Sequence, residues 1–203
     1  LAGVSQISLD PSGYLWADSL SNSAACRLSN PGGSPTFSIG ASTLGLGNIA
    51  IDGNGNGWVA LEDLNYLAEA TPSGGATLFG GSGGSGSGGG FGGFGPEAGP
   101  GSGSLGSGGL SSPTWVAIDG ANNIWIANNG NSYALSEFTN SGSAISGSAG
   151  YQGGNLDNPS FLAIDSAGNV WIPNKSANSV TEIIGVSTPT VTPLSALQPG
   201  VRP

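Results

Sequence analysis

Histidine and methionine are both absent from the 203-residue sequence, and only three basic residues occur: Arg27, Lys175 and Arg202. Without imidazole there is no histidine-based acid–base catalysis and no histidine metal ligation. Nucleic acids and anionic membrane surfaces are disfavoured as partners, because both are held through clusters of Lys and Arg. Schiff-base chemistry has Lys175 as its single candidate. Cys26 is alone, so no internal disulfide forms, and its setting in the apolar stretch "SAACRLS" reads as a buried thiol. No run of eighteen apolar residues is present, so no segment is read as a membrane-spanning helix. Twelve carboxylates leave a net charge of −9, and the surface must be covered by Ser, Asn, Thr and Gly rather than by ion pairs. That composition points to an extracytoplasmic, secreted or cell-surface protein.

What the sequence does contain is a repeat. Four segments align: "ISLDPSGYLWADS" (7–19), "IAIDGNGNGWVAL" (49–61), "VAIDGANNIWIAN" (116–128) and "LAIDSAGNVWIPN" (162–174). In each, an Asp (10, 52, 119, 165) precedes a Trp (16, 58, 125, 171) by six positions, and Gly13, Gly55, Asn122 or Gly168 follows the Asp by three. A charged residue, Arg27, Glu69, Glu137 or Glu182, follows the Trp by eleven or twelve. Asp at the first position of a type I turn accepts backbone N–H bonds, and Gly or Asn three residues on tolerates the left-handed backbone that closes a hairpin with a bulge.

A β-rich run precedes each turn and a Trp-bearing run follows it. A third run comes next ("AACRLS", "ALSEF", "SVTEII"), and in some copies a weaker fourth ("TFSIG", "ATLFG", "SAISG"). The unit is a four-stranded antiparallel meander, apolar on both faces, which cannot stand alone in water. A buried Trp contributes ~4–6 kcal/mol at most, and only when a neighbouring sheet covers it. Stacked four-stranded sheets of this length form a β-propeller, so the expected fold is all-β, with four visible blades at about 1–45, 46–79, 110–155 and 156–185.

The wording of "PSFLAIDSAGNVWIPN" resembles the NHL-repeat propellers and the streptogramin-lyase-like propellers, over nearly the whole chain except the glycine tract and tail. The resemblance implies the propeller fold and six or seven blades in the complete ring. Four blades therefore imply part of a larger propeller, or one that closes by assembly. For the lyases it also implies histidine-assisted elimination with magnesium, which a chain without histidine does not run.

"DGNGNGW" copies part of a calcium loop, with Asp52, Asn54, Asn56, Gly57 and, twelve positions from the start, Asp63. The other three copies lack the alternating oxygen residues yet keep the Asp, so the turn explains the pattern without an ion. No cofactor is expected. Residues 80–109 are a Gly/Ser-rich insertion whose ordering would cost ~1–2 kcal/mol per residue, while lengthening the loop from about 5 to 35 residues adds only ~1.7 kcal/mol of closure entropy. It reads as a flexible loop or, with Phe91 and Phe94 as anchors, as an adhesive arm. Residues 186–203 form a Pro-rich tail in which "STPTVTPL" is a candidate partial closing strand along a blade edge.

The loops after the Trp-bearing strands are expected to gather at one end of the central channel. They supply the candidate binding residues Asp18, Glu62, Asp63, Asn128, Asn129 and Asn174, besides Lys175. Three functional classes follow. The first is a non-catalytic module that binds a protein or glycan. The second is a structural subunit of an extracellular assembly whose partner includes copies of itself. The third is a lactonase-like or lyase-like enzyme holding one divalent ion through Glu62, Asn128 and Asn174.

Overall fold

A computed structural model of the chain describes residues 4–19, 24–28, 35–40, 46–80, 108–130 and 133–190. Most of the Gly/Ser-rich insertion, with its proposed arm at Phe91 and Phe94, and the tail beyond Thr190 lie outside the described residues.

The described residues form four antiparallel sheets and no α-helix. The first blade is β1 (Val4–Leu9), β2 (Leu15–Ser19), β3 (Ala24–Leu28) and β4 (Pro35–Gly40), paired in that order. The second is β5 (Leu46–Ile51), β6 (Gly57–Leu61), β7 (Tyr66–Ala70) and β8 (Ala76–Gly80), with a 3-10 turn at Glu62–Leu64. The third is β9 (Pro113–Ile118), β10 (Ile124–Asn128), β11 (Ala134–Phe138) and β12 (Tyr151–Gln152). The fourth has three strands, β13 (Ala163–Ile164), β14 (Val170–Asn174) and β15 (Ser179–Ile183). These are the meanders of a β-propeller, arranged as an open arc. The inner strands β1, β5, β9 and β13 lie each against the next.

Residues directly opposite in an antiparallel ladder share a face. The register places each repeated charge beside its tryptophan: Trp16 with Arg27, Trp58 with Glu69, Trp125 with Glu137 and Trp171 with Glu182. The spacing of eleven or twelve is thus the path down one strand and back up the next. Each Trp face packs on the opposite face of the following blade. Trp16 joins Ile49, Val59 and Leu61; Trp58 joins Val116, Ile124 and Ile126; Trp125 joins Leu162, Val170 and Ile172. Gly57 is required at one of these contacts, since a Cβ there would lie 2.9 Å from the Trp16 ring. Cys26 is buried on the first blade, and burial pushes its thiol pKa up.

Two expectations at the outer rim differ from what is found. "SAISG" makes only a single bridge, Phe138 to Ala144, and the fourth strand of the third blade is Tyr151–Gln152 instead. Past β15 the chain turns at Gly185 (φ +62°) and runs inward, and residues 187–190, the described part of the candidate closing strand, form no regular strand. Ser187 N donates to Gly168 O, Thr188 N donates to the Asp119 carboxylate, and Thr190 Oγ1 donates to the carbonyl of Ile164 or Asp165. The segment bridges the turns of the third and fourth blades.

Candidate functional site

The four Asp turns share one geometry. Asp52 Oδ1 accepts from Asn54 N and Asn56 N, each at 2.9 Å, while Oδ2 accepts from the Trp58 indole Nε1 at 3.0 Å and from Asn56 Nδ2 at 3.2 Å. Asp10, Asp119 and Asp165 hold Trp16, Trp125 and Trp171 the same way, at 3.3, 3.2 and 3.0 Å. Gly55 and Gly168, at φ +85° and +81°, and Asn122, at φ +64°, close these turns. At Asp52 a cation would have to displace N–H donors that converge on both oxygens, so the donor set does not fit calcium. The strand β6 also carries Asp63 to the other end of the blade from Asp52.

The charge beside each indole completes the cluster. Arg27 Nε lies 2.8 Å and its terminal nitrogen 2.7 Å from Asp10 Oδ2, with the guanidinium 3.8 Å above the Tyr14 ring. Burial works to raise the Asp10 pKa, but hydrogen bonds from Tyr14 N–H, Arg27 and Trp16, with the Arg27 charge, outweigh it and hold the group below its usual range. In the next two blades the partner is a second carboxylate, and an amide bridges the pair. Asn56 Nδ2 donates to Asp52 and, at 2.9 Å, to Glu69; Asn123 Nδ2 donates to Asp119 at 3.4 Å and to Glu137 at 3.3 Å. Burial, followed by the Asp52 charge, raises the Glu69 pKa. Burial raises that of Glu137 as well, and Glu137 accepts the Tyr151 hydroxyl at 2.7 Å. Burial and Glu137 together push Tyr151 up to about 12.

These clusters occupy the end of the channel where the inner strands finish. The opposite end holds a cavity of about 470 Å³. It is lined by the starts of the inner strands, Ser5 and Gln6, Leu46 to Asn48, and Thr114 and Trp115, with Ser160 and Phe161 ahead of β13. Asp18 and Glu62, two of the residues expected from the sequence, line it too. Asp18 accepts the Ser5 hydroxyl at 2.7 Å; burial raises its pKa, and burial with the Asp63 charge raises that of Glu62. Trp115 and Phe161 sit with ring centroids 4.3 Å apart at a 52° tilt. Three further side-chain donors of the lining, those of Asn48, Gln6 and Thr114, are committed within the protein. Asn48 Nδ2 reaches Val116 O, Gln6 Nε2 reaches Ile49 O, and Thr114 Oγ1 reaches Ala127 O or Pro159 O. The cavity therefore presents the half-buried Glu62 carboxylate and the Ser160 hydroxyl beside aromatic rings, with Asp18 buried behind them at 1% exposure.

The other sequence candidates sit elsewhere. Asn128 and Asn174 are buried strand ends rather than displayed loop residues. Asn128 Oδ1 accepts from Ser111 N, and its amide donates to Ala134 O and Ser136 Oγ. Asn174 Oδ1 accepts from Asp157 N, and its amide donates to Ser179 Oγ and Thr181 Oγ1. Each staples the chain entering its blade to the middle strands. Both amides are used internally, which takes Asn128 and Asn174 out of the metal set the lactonase analogy assigns with Glu62. Asn129, half-buried, and Asp63, exposed, lie outside the cavity lining. Trp115 and Phe161 went unread in the sequence, although both stand just ahead of the repeated Ala-Ile-Asp segments, on the side of each inner strand away from the turn.

A second cleft, about 610 Å³, opens between the outer strands of the third and fourth blades, along Trp125, Leu135, Tyr151, Leu156 and Ile183. Its lining is mainly the apolar interblade packing, with no convergent set of polar groups, and the channel end is the better chemical site.

An open arc of four blades, each with its Trp tied to the Asp of its own turn, is the arrangement of a β-propeller. No protein-family model matches the sequence, and no curated protein matches it either. Solved structures do match. A streptogramin B lyase superimposes with TM-score 0.64 at 15% identity, covering 96% of this chain and 56% of the lyase. A catalytically inactive histidine-to-alanine form of virginiamycin B lyase from Staphylococcus aureus, solved with quinupristin, gives 0.57 at 14% identity, covering 90% and 56%. An auxiliary nutrient binding protein from Bacteroides thetaiotaomicron gives 0.57 at 13%, covering 85% and 45%. The chain spans about half the length of these neighbours, and the likeness is one of fold.

Proposed function

We propose that the protein is a non-catalytic, extracytoplasmic propeller that binds a glycan at the channel end bearing Asp18, Glu62, Trp115 and Phe161. The observation that carries this reading is the cavity itself: the half-buried Trp115 and the exposed Phe161 rings next to the Glu62 carboxylate, with the amide donors of Gln6 and Asn48 and the Thr114 hydroxyl turned to the protein's own carbonyls. A sugar supplies what such a wall lacks. Its C–H faces stack on aromatic rings, and its hydroxyls donate to carboxylates. Anionic ligands are disfavoured by Glu62 and by the net charge of −9. The nutrient-binding neighbour supports a binding role. The lyase neighbour described as inactive after loss of one histidine supports the non-catalytic side, since this chain has none. Among the described residues no helix is long and apolar enough to cross a membrane.

Calorimetric titration with neutral oligosaccharides tests the proposal. Saturable binding should weaken at least about tenfold in Phe161→Ala and in Glu62→Gln, the loss of a stacking face or a charged hydrogen-bond acceptor costing roughly 1.5–3 kcal/mol. Neither substitution should shift the melting temperature much. Affinity that survives both changes places the ligand elsewhere.

A further inference from the structure

The interblade contact is one interface made three times, and each half has a fixed composition. One half is the Trp face. The other is a socket built from the residues three and one before the Asp, with the residue before the next Trp: Ile49, Ile51 and Gly57; Val116, Ile118 and Ile124; Leu162, Ile164 and Val170. In these three blades the sockets are covered, and Trp16, Trp58 and Trp125 are at most 1% exposed.

The first and fourth blades each keep one half of the same interface uncovered. Ile7, Leu9 and Leu15 occupy the socket positions of the first blade, yet Ile7 is 61% and Leu9 67% exposed. Trp171 occupies the Trp position of the fourth blade and is 39% exposed, beside Val180 at 63% on the same face. Apolar residues at socket positions have no reason to persist facing water, and a Trp anchored by its Asp165 bond is already in the rotamer its counterparts use when packed. The two open surfaces differ from one another, and each complements the other rather than itself.

We infer that a second copy of this chain covers these faces, the Trp171 face of one copy seating on the Ile7–Leu9–Leu15 socket of the next. The contact continues the interface already present between blades, and the Trp171 surface is the one uncovered Trp face among the described residues. An interface of two unlike surfaces is head-to-tail, and it propagates to a ring or a filament. The inference is independent of the glycan reading: it uses neither Glu62 nor Phe161.

Light scattering after size-exclusion chromatography of the 203-residue chain, from about 1 to 100 µM, tests it. The unaltered chain should exceed its one-chain mass of 19.7 kDa, and Trp171→Glu and Leu9→Glu should each be monomeric alone. Mixed in equal amounts, the two variants should form a dimer and stop there, since the mixture holds one intact Trp face and one intact socket per pair. Both substituted side chains are solvent-facing, and melting curves confirm folding; Val180→Glu and Ile7→Glu serve in place of a variant that fails to fold. A chain that stays monomeric throughout overturns the inference, and means that blades from elsewhere in a longer polypeptide, or nothing, cover the faces. Association that persists in the single variants, or a mixture that forms no dimer, overturns it too.

Discussion

At the scale of single residues, the fold rests on an aspartate that uses its two oxygens for different purposes. Oδ1 closes the turn through two backbone N–H groups, and Oδ2 holds an indole six residues on, fixing where the next blade's contact will be. Removing Asp52 leaves the wholly buried Trp58 N–H and two turn amides without acceptors, so Asp52→Ala should cost about 2–4 kcal/mol of unfolding free energy. Asp165→Ala should cost less in the dissociated chain, because its Trp171 is there within reach of water. Urea midpoints of the two variants make the comparison, and equal losses would mean that the turn alone matters. The sequence disclosed the turn role at once, since Asp and Gly at that spacing have a local cause. The indole bond left only the invariant six-residue interval as its trace. Nothing local distinguishes a Trp held by a side chain from one that is merely buried.

At the scale of the blade, strand register explains both what was legible and what was not. The meander, its Trp positions and the face-to-face stacking follow from periodicity and turn residues, which are short-range. The outer rim did not follow: β12 is two residues long after a loop of irregular backbone, and the fourth blade's chain leaves for the axis at Gly185. Asn128 and Asn174 read as binding residues because an Asn after a strand resembles a loop donor; only the fold reveals that their amides are consumed. Register also sets two kinds of charged cluster, and they should respond oppositely to neutralisation. Arg27→Gln breaks a buried ion pair and should cost about 3 kcal/mol near neutral pH. Glu69→Gln keeps an acceptor for Asn56 and removes a charge facing Asp52, so the chain should become more stable at pH 7 and little changed at pH 4. Denaturant midpoints at the two pH values decide, and a destabilised Glu69→Gln at pH 7 would refute the carboxylate-pair reading.

For the whole molecule these clusters add to a pH profile whose shape follows from the direction of each shift. Asp18, Glu62, Glu69 and Glu137 hold their protons more tightly folded than unfolded, in every case first because of burial. Their contribution is complete below the ordinary values of 3.8 for Asp and 4.5 for Glu, and it is lost as pH rises through the elevated folded values. Asp10 and Asp165 run the other way. Hydrogen bonding, foremost from the Trp171 indole, brings Asp165 to about 2, and its stabilisation is complete above 3.8 and lost as pH falls toward that value. Four groups thus favour acid and two oppose strong acid, while repulsion within a chain of net charge −9 grows toward neutrality. Stability should peak near pH 4, decline toward pH 7, and fall separately toward pH 2. Salt weakens the long-range repulsion and leaves the buried pairs nearly untouched, so about 0.5 M salt should flatten only part of the decline. The double variant Glu69→Gln/Glu137→Gln should remove much of the remainder. Unfolding free energies measured across this range in both salts test the account, and a stability that rises from pH 4 to pH 7 would refute it, because no assignment of these four shifts produces that slope.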